Sequence, residues 1–213
     1  MRRIAAHATN YTAGRNRKID HIVVHYTGNN GDTAEGNGRY FSAACREASA
    51  HYFADENEVV QSVADGDTAW HAGNWVMNCR SLGVEMCSRR DNAGQFYIPD
   101  ATVKNAQAIV RELMTRYGIP AENVIRHYDV TKKVCPEPFV RRPELWADFK
   151  AGLKKEAANL PKTGEPSAWA AEACLWAIRE GIVRGDETGD CKWQSPVTKE
   201  QLALMLYRAL KKA

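Results

Sequence analysis

Short apolar runs alternate with amphipathic stretches over the first 150 or so residues, and the pattern changes character after that. HIVVHY (residues 21–26) is a near-continuous apolar run of the length of a buried strand. HYFADENEVVQSV (51–63) reads as a hairpin whose turn falls near Asp55 to Asn57. LGVEMC (82–87) supplies another short strand. The period then shifts. Val103, Ala106, Ile109, Val110, Leu113 and Met114 recur at helical spacing across residues 101–117, and Gly118 with Pro120 stops the helix. NVIRHY (123–128) returns toward the sheet, and residues 142–156 read as a closing helix with a proline near its first turn. Strands interleaved with helices predict an α/β fold, a mixed central β-sheet flanked by helices.

The last fifty residues follow a different plan. WAAEACLWAIREG and TKEQLALMLYRALKK both carry helical apolar spacing, and the stretch between them is rich in turn formers. Ahead of them NLPKTGEP (159–166), with two prolines and a glycine, does not continue a helix. The expected organisation is a domain over 1–158, a linker over 159–166 and a small helical module over 167–213.

Composition narrows the function classes. With 213 residues, 44% of them hydrophobic, the chain can build one substantial core and a small second unit. The formal charge is only +3, and Lys and Arg are spread without a dense block, which argues against nucleic acid and leaves a mildly cationic surface suited to an anionic bacterial wall. No segment approaches the roughly 20 apolar residues of a membrane span, and MRRIAAHATNYTAGRNRKID lacks the apolar stretch of a signal peptide, so synthesis in the cytoplasm is expected. The six cysteines form no CxxC pair; most are expected as free thiols, with a Cys79–Cys87 bridge left open.

The chemistry sits in the first part, since all six histidines lie at or before residue 127. RHYDVTKKVCPEP brings His127 and Cys135 close in sequence, and His25 ends the apolar run far upstream. Three nitrogen or thiolate donors are the ligand count of a catalytic zinc site, which leaves a fourth position for water, whereas a structural site closes with four. Glu85 stands inside an otherwise apolar strand, either facing a cavity or facing solvent on an edge. Asp129 either orients His127 or is a solvated loop residue.

Five segments, HIVVHYTGN, SAHYF around His51, AWHAG around His71, SLGVEMC around Glu85 and the His127–Cys135 run, together resemble the zinc-dependent N-acetylmuramoyl-L-alanine amidases of the type-2 amidase and peptidoglycan-recognition family. The similarity covers roughly residues 15 to 150, and the KIDHIVVHYTGN opening is similar to that of cell-wall amidases of phages and their Gram-positive hosts. The resemblance implies a peptidoglycan hydrolase that cleaves the amide between N-acetylmuramic acid and L-alanine, of phage or prophage endolysin type. It also implies Zn2+ held by His25, His127 and Cys135, with Glu85 as base. The family's Lys-x-Cys spacing selects Lys133 rather than Lys132 as the oxyanion partner. His71, Trp70 and His51 are implied as substrate-binding walls of the cleft. Two other readings carry different signatures: a non-catalytic peptidoglycan-binding module typically lacks the cysteine, and a cytoplasmic muropeptide-recycling amidase carries aspartate as third ligand.

The C-terminal segment resembles one S-layer homology motif. The matching positions are Trp169-Ala170, Ala177, Gly181-Ile182, Gly185 and Gly189 four apart, and Val197-Thr198. Cys191, Trp193 and Lys199-Glu200-Gln201 depart from that pattern. The resemblance implies binding to a secondary cell-wall polymer. Because such motifs usually combine in threes, it also implies completion of the core by a homo-oligomer.

Overall fold

The computed structural model describes residues 1–154, 166, 170–186, 189–193 and 196–211. The chain divides into two compact units, Met1–Lys154 and Lys155–Ala213. Among the described residues the first unit holds a six-stranded sheet built from β1 (Arg2–Arg3), β2 (His21–Tyr26), β3 (Tyr52–Ala54), β4 (Val59–Gln61), β5 (Ser81–Met86) and β6 (Val124–Arg126). Their order is β1-β4-β3-β5-β2-β6, with β3 and β4 antiparallel and every other neighbour pair parallel. This is the mixed sheet expected. Two short antiparallel pairs, Tyr11–Thr12 with Thr68–Ala69 and Arg89–Arg90 with Phe96–Tyr97, decorate it.

The helices of this unit are α1 (Ala34–Ser42), α2 (Trp75–Arg80), α3 (Asp100–Tyr117), α4 (His127–Thr131), α5 (Glu137–Arg141) and α6 (Pro143–Lys154). Gly118, at φ 63°, stops α3: its left-handed conformation turns the chain so that the following Ile119 N–H reaches back to the Met114 carbonyl at 2.9 Å. The pattern in sequence does not announce α1 and α2. Both start on side-chain caps instead: Thr33 accepts from Gly36 N and Asn74 accepts from Met77 N.

The period of two along the strands divides the chemistry from the core. Ile22 and Val24 of β2, Leu82, Val84 and Met86 of β5, and Tyr52 and Ala54 of β3 pack with Ile109, Val110 and Leu113 of α3 and with Phe149 and Leu153 of α6. The alternate positions, His25 on β2 and Ser81, Gly83 and Glu85 on β5, belong to the opposite face. β2 and β5 are in register with His25 beside Glu85. A slip of one residue between the two strands would send one of them into the apolar core.

In the second unit α7 (Ala171–Arg179) and α8 (Lys199–Leu210) match the two amphipathic stretches. Thr198 and Gln201 form a capping box at the start of α8. A side chain on Gly185 would strike the Gly189 backbone at 2.2 Å, which explains a glycine there. The linker expected over 159–166, save Pro166, and Trp169 lie outside the described residues. No described helix is long and apolar enough to cross a membrane.

Candidate functional site

His25, His127 and Cys135 come from the end of β2, the start of α4 and the loop before α5. Their donor atoms all lie within 4.8 Å of one another, and all three residues are buried. His25 Nδ1 is 3.7 Å from Cys135 Sγ. A tetrahedral ion with bonds of about 2.0–2.3 Å sets its donors about 3.3–3.7 Å apart, so this pair already stands at chelating distance. His127 Nδ1 is buried and has no hydrogen-bond partner among the described residues. An orphaned imidazole nitrogen beside a thiol and a second imidazole is costly unless a cation uses it. Two nitrogens and a sulfur are the donor set of a borderline-soft divalent metal.

The electrostatics agree with that use. Burial, then the charges of His71, His127 and Lys133, holds His25 well below its ordinary range. Burial and Lys133 bring His127 down to about 4, so both rings are neutral and able to donate a lone pair. Burial pushes the Cys135 thiol up to about 12, against the Tyr26 N–H and Lys133, which favour the thiolate. With a cation held there, Cys135 would serve as a thiolate ligand and that balance would reverse.

Glu85 faces this cluster from β5. Its Oε2 is buried with no partner among the described residues, and burial raises its carboxyl to about 8, with Lys133 opposing and Asp32 adding to the rise. Lys133 is exposed, and its charge bears on His25, His127, Glu85 and Cys135 together. Its carbonyl accepts from Cys135 N at 2.7 Å, a tight turn that ties the cation's position to the thiol. Neighbouring Lys132 instead lies over the Tyr128 ring at 5.2 Å.

The residues expected along the cleft take different places. His51 is fully buried; its Nδ1 accepts from Gly83 N at 2.9 Å, and Nε2 lies 3.3 Å from the Asp67 carbonyl. His71 is buried as well, with Nδ1 3.0 Å from His25 Nε2 and Nε2 3.3 Å from Ser81 Oγ. Neither ring offers a free nitrogen to solvent. Trp70 is partly exposed, and its indole N–H donates to Thr12 Oγ1 at 3.0 Å. Asp129 is engaged by the Arg126 guanidinium and backbone N–H rather than by His127. The Ala72 carbonyl instead stands near the His127 ring and favours its protonated form.

Several supporting residues carry no motif, and no signal in the sequence singles them out. Asn78 Oδ1 accepts from both His71 N (3.2 Å) and Ala72 N (2.8 Å), pinning the short loop beside His25 and His127. Ser81 donates to the Met77 carbonyl at 2.6 Å. Gly83 leaves room for the His71 ring, which a Cβ would meet at 2.6 Å. All six cysteines are free, so the bridge left open between Cys79 and Cys87 is not formed.

A family profile described as N-acetylmuramoyl-L-alanine amidase matches residues 15–138. The amidase CwlL of Bacillus licheniformis is 37% identical over 177 residues, covering 75% of this chain and 48% of its own length. BlyA of Bacillus subtilis strain 168, also an N-acetylmuramoyl-L-alanine amidase, is 33% identical over 160 residues, 66% of this chain and 42% of the relative. The chain thus spans about half or less of the length of these curated relatives. Among solved structures, PlyL superposes with a TM-score of 0.63 at 28% identity, over 72% of this chain and 96% of that one. The catalytic domain of XlyA does so at 0.61 and 27%, over 72% and 99%. With the profile spanning more than half of its residues and the fold and donor cluster described above, the chain belongs to the N-acetylmuramoyl-L-alanine amidase family.

Proposed function

We propose that the chain is a zinc-dependent peptidoglycan hydrolase of endolysin type that cleaves the amide between N-acetylmuramic acid and L-alanine. The observation that carries this reading is the gathering of His25, His127 and Cys135 within 4.8 Å, with the partnerless Glu85 Oε2 and the Lys133 charge directed at the same cluster. His25, His127 and Cys135 would hold the ion. When bound, zinc supplies Lewis acidity to the scissile carbonyl and lowers the pKa of water toward neutrality.

The chain's own groups handle the protons and the charge. Glu85 takes the proton of the attacking water on Oε2 and returns it to the departing amine of L-alanine. Burial raises its carboxyl and a cation held by His25, His127 and Cys135 would lower it again, the two opposing influences that would set it between accepting and returning a proton. The Lys133 ammonium stabilises the negative charge that develops on the carbonyl oxygen. Trp70, held by Thr12, is the proposed wall for substrate. His51 and His71, expected as substrate contacts, are both buried, His71 bonded to His25 and His51 to the Gly83 N–H and packed on His71, so we read them as supports of the site.

Residues 167–213 are read as an S-layer-homology-like module that attaches to wall polymer or brings chains together. Among its described residues only Ile182 is buried, while Leu202, Leu204, Leu206, Tyr207 and Leu210 are exposed, an apolar surface that a wall polymer or a second chain would cover. The test is digestion of purified walls followed by mass spectrometry. Free L-alanine amino termini without new reducing sugars are expected, and Glu85→Gln should lower the rate by about a hundredfold or more at unchanged zinc content. New reducing ends, or a variant as fast as the parent, would refute the assignment.

A further inference from the structure

Hydroxyl and imidazole protons obey simple arithmetic when every partner is in place. Ser81 has one hydroxyl proton, and it is directed at the Met77 carbonyl in the last turn of α2, 2.6 Å away. A carbonyl only accepts, so the proton is committed there. The Ser81 oxygen is then an acceptor for the nitrogen 3.3 Å away, and His71 Nε2 must carry a proton. A neutral imidazole has only one, and His71 is buried with His25 and Ser81, not a carboxylate, at its ring nitrogens, so a second proton would be an unpaired buried charge. His71 Nδ1 is therefore a bare acceptor, 3.0 Å from His25 Nε2. His25 must donate from Nε2, which strips Nδ1, the atom facing Cys135 Sγ at 3.7 Å, of its proton.

We propose that Ser81 and His71 form a positioning relay that fixes His25 as its Nε2–H tautomer, so that the nitrogen facing Cys135 is a lone pair before any metal arrives. The relay rests on the metal-site reading only for its purpose, since the tautomers themselves follow from hydrogen bonds within the chain. The opposite tautomer of His25 would direct an N–H at the cysteine and block coordination. Building the device requires three local features. Asn78 clamps the backbone of His71, Gly83 vacates the space under its ring, and Ser81 stands one turn after Met77, where its hydroxyl reaches back. The same clamped loop brings the Ala72 carbonyl near the His127 ring, whose Nδ1 has no hydrogen-bond partner among the described residues. Outer partners of ligand histidines commonly change metal affinity by about 10- to 100-fold when removed, and Ser81 acts one bond further out.

The full chain, labelled with nitrogen-15 at histidine and stripped of metal by a chelator, gives the direct readout, because long-range proton–nitrogen correlations distinguish the two tautomers. His25 and His71 should both appear as Nε2–H near neutral pH. Ser81→Ala should leave His71 as a mixture, carry His25 with it, and weaken Zn2+ binding in chelator competition by roughly tenfold. His71→Asn, which sets an amide oxygen near the place of Nδ1, should retain Zn2+ affinity that His71→Leu loses. Ser62→Ala, which removes a buried hydroxyl outside the relay, should change neither reading. Finding His25 as the Nδ1–H tautomer, or Ser81→Ala with unchanged tautomers, overturns the relay. Correct tautomers in a protein that takes up no Zn2+ would instead overturn the metal reading and leave the relay standing.

Discussion

Placing a single methyl group at Gly83 should do more damage than its size suggests. A Cβ there would lie 2.6 Å from His71 Cγ, 2.8 Å from Nδ1 and 2.9 Å from Cδ2. Carbon atoms rest about 3.5–4.0 Å apart, so the ring must retreat by about 0.9 Å or more. A retreat of that size opens the 3.0 Å contact between His71 Nδ1 and His25 Nε2 beyond hydrogen-bond range. Forced overpacking costs about 1–3 kcal/mol and a lost buried hydrogen bond adds about 1 kcal/mol. Gly83 has no left-handed φ, so the substitution carries no backbone strain of its own. Alanine in a strand is otherwise favoured over glycine by about 0.5–1 kcal/mol. Gly83→Ala should therefore lower the urea-unfolding free energy of the metal-free protein by about 2–3 kcal/mol. In a His71→Ala background the same change should be neutral or slightly stabilising. The cycle isolates the steric coupling, about 2 kcal/mol or more. Equal effects of Gly83→Ala in the two backgrounds would show that the His71 ring is not what the glycine accommodates.

Three other outcomes are expected. Asp20 is held at about 2, below its ordinary 3.8, chiefly by the Arg80 guanidinium and then by His21, so its contribution is present above pH 3.8 and is lost as pH falls toward 2. With a third of the side chain exposed, that contribution is discounted to about 1 kcal/mol, and Asp20→Asn should remove it at pH 7 and flatten the urea midpoint between pH 4 and 2; an unchanged slope would count against the pair. Cys135→Ser should lose most of the roughly one equivalent of zinc that Cys45→Ser keeps, because Cys45 is exposed and far from the donor cluster in sequence; equal retention in both would remove the thiol from the site. A chain ending at Lys154 should keep its urea midpoint and zinc, since the main core closes within residues 19–153, but should clear intact walls poorly; undiminished clearing would strip the tail of its proposed role.

How much of this the sequence reveals depends on the range of the interaction. The strand at 21–26 and the helix at 100–117 are legible because burial imposes their period on every residue. α1, with two glycines in nine residues, and α2, with six residues, hide because caps and packing rather than propensity define them. The donors are legible because two imidazoles and a thiol, each set in its own motif, converge on a single chemistry once the motifs stand together. The roles of His51 and His71 are not. A histidine that contacts substrate and one that orients another histidine are the same letter, and only the position of Ser81 and the Gly83 backbone separates them.

Most of what organises the site is nevertheless local in sequence. Residues 77–85 contribute the Met77 carbonyl, the Asn78 clamp, the Arg80 partner of Asp20, the Ser81 hydroxyl, the space at Gly83 and the Glu85 carboxylate. The Arg80–Asp20 pair and the bond from Asp20 N to the Arg80 carbonyl stand immediately before the first paired residues of β5 and β2, His21 beside Ser81. Four residues on, at about 3.3 Å per residue, the same register sets Glu85 beside His25. Because the period is two, a one-residue slip would exchange Glu85 for an apolar neighbour, and a two-residue slip would bring Gly83 or Cys87 opposite His25. The Asp20–Arg80 clamp thus acts at a distance on the chemistry. It secures which carboxylate meets which histidine, while Ser81, the residue where the clamp ends and the strand begins, settles in the proposed relay which nitrogen of that histidine is bare.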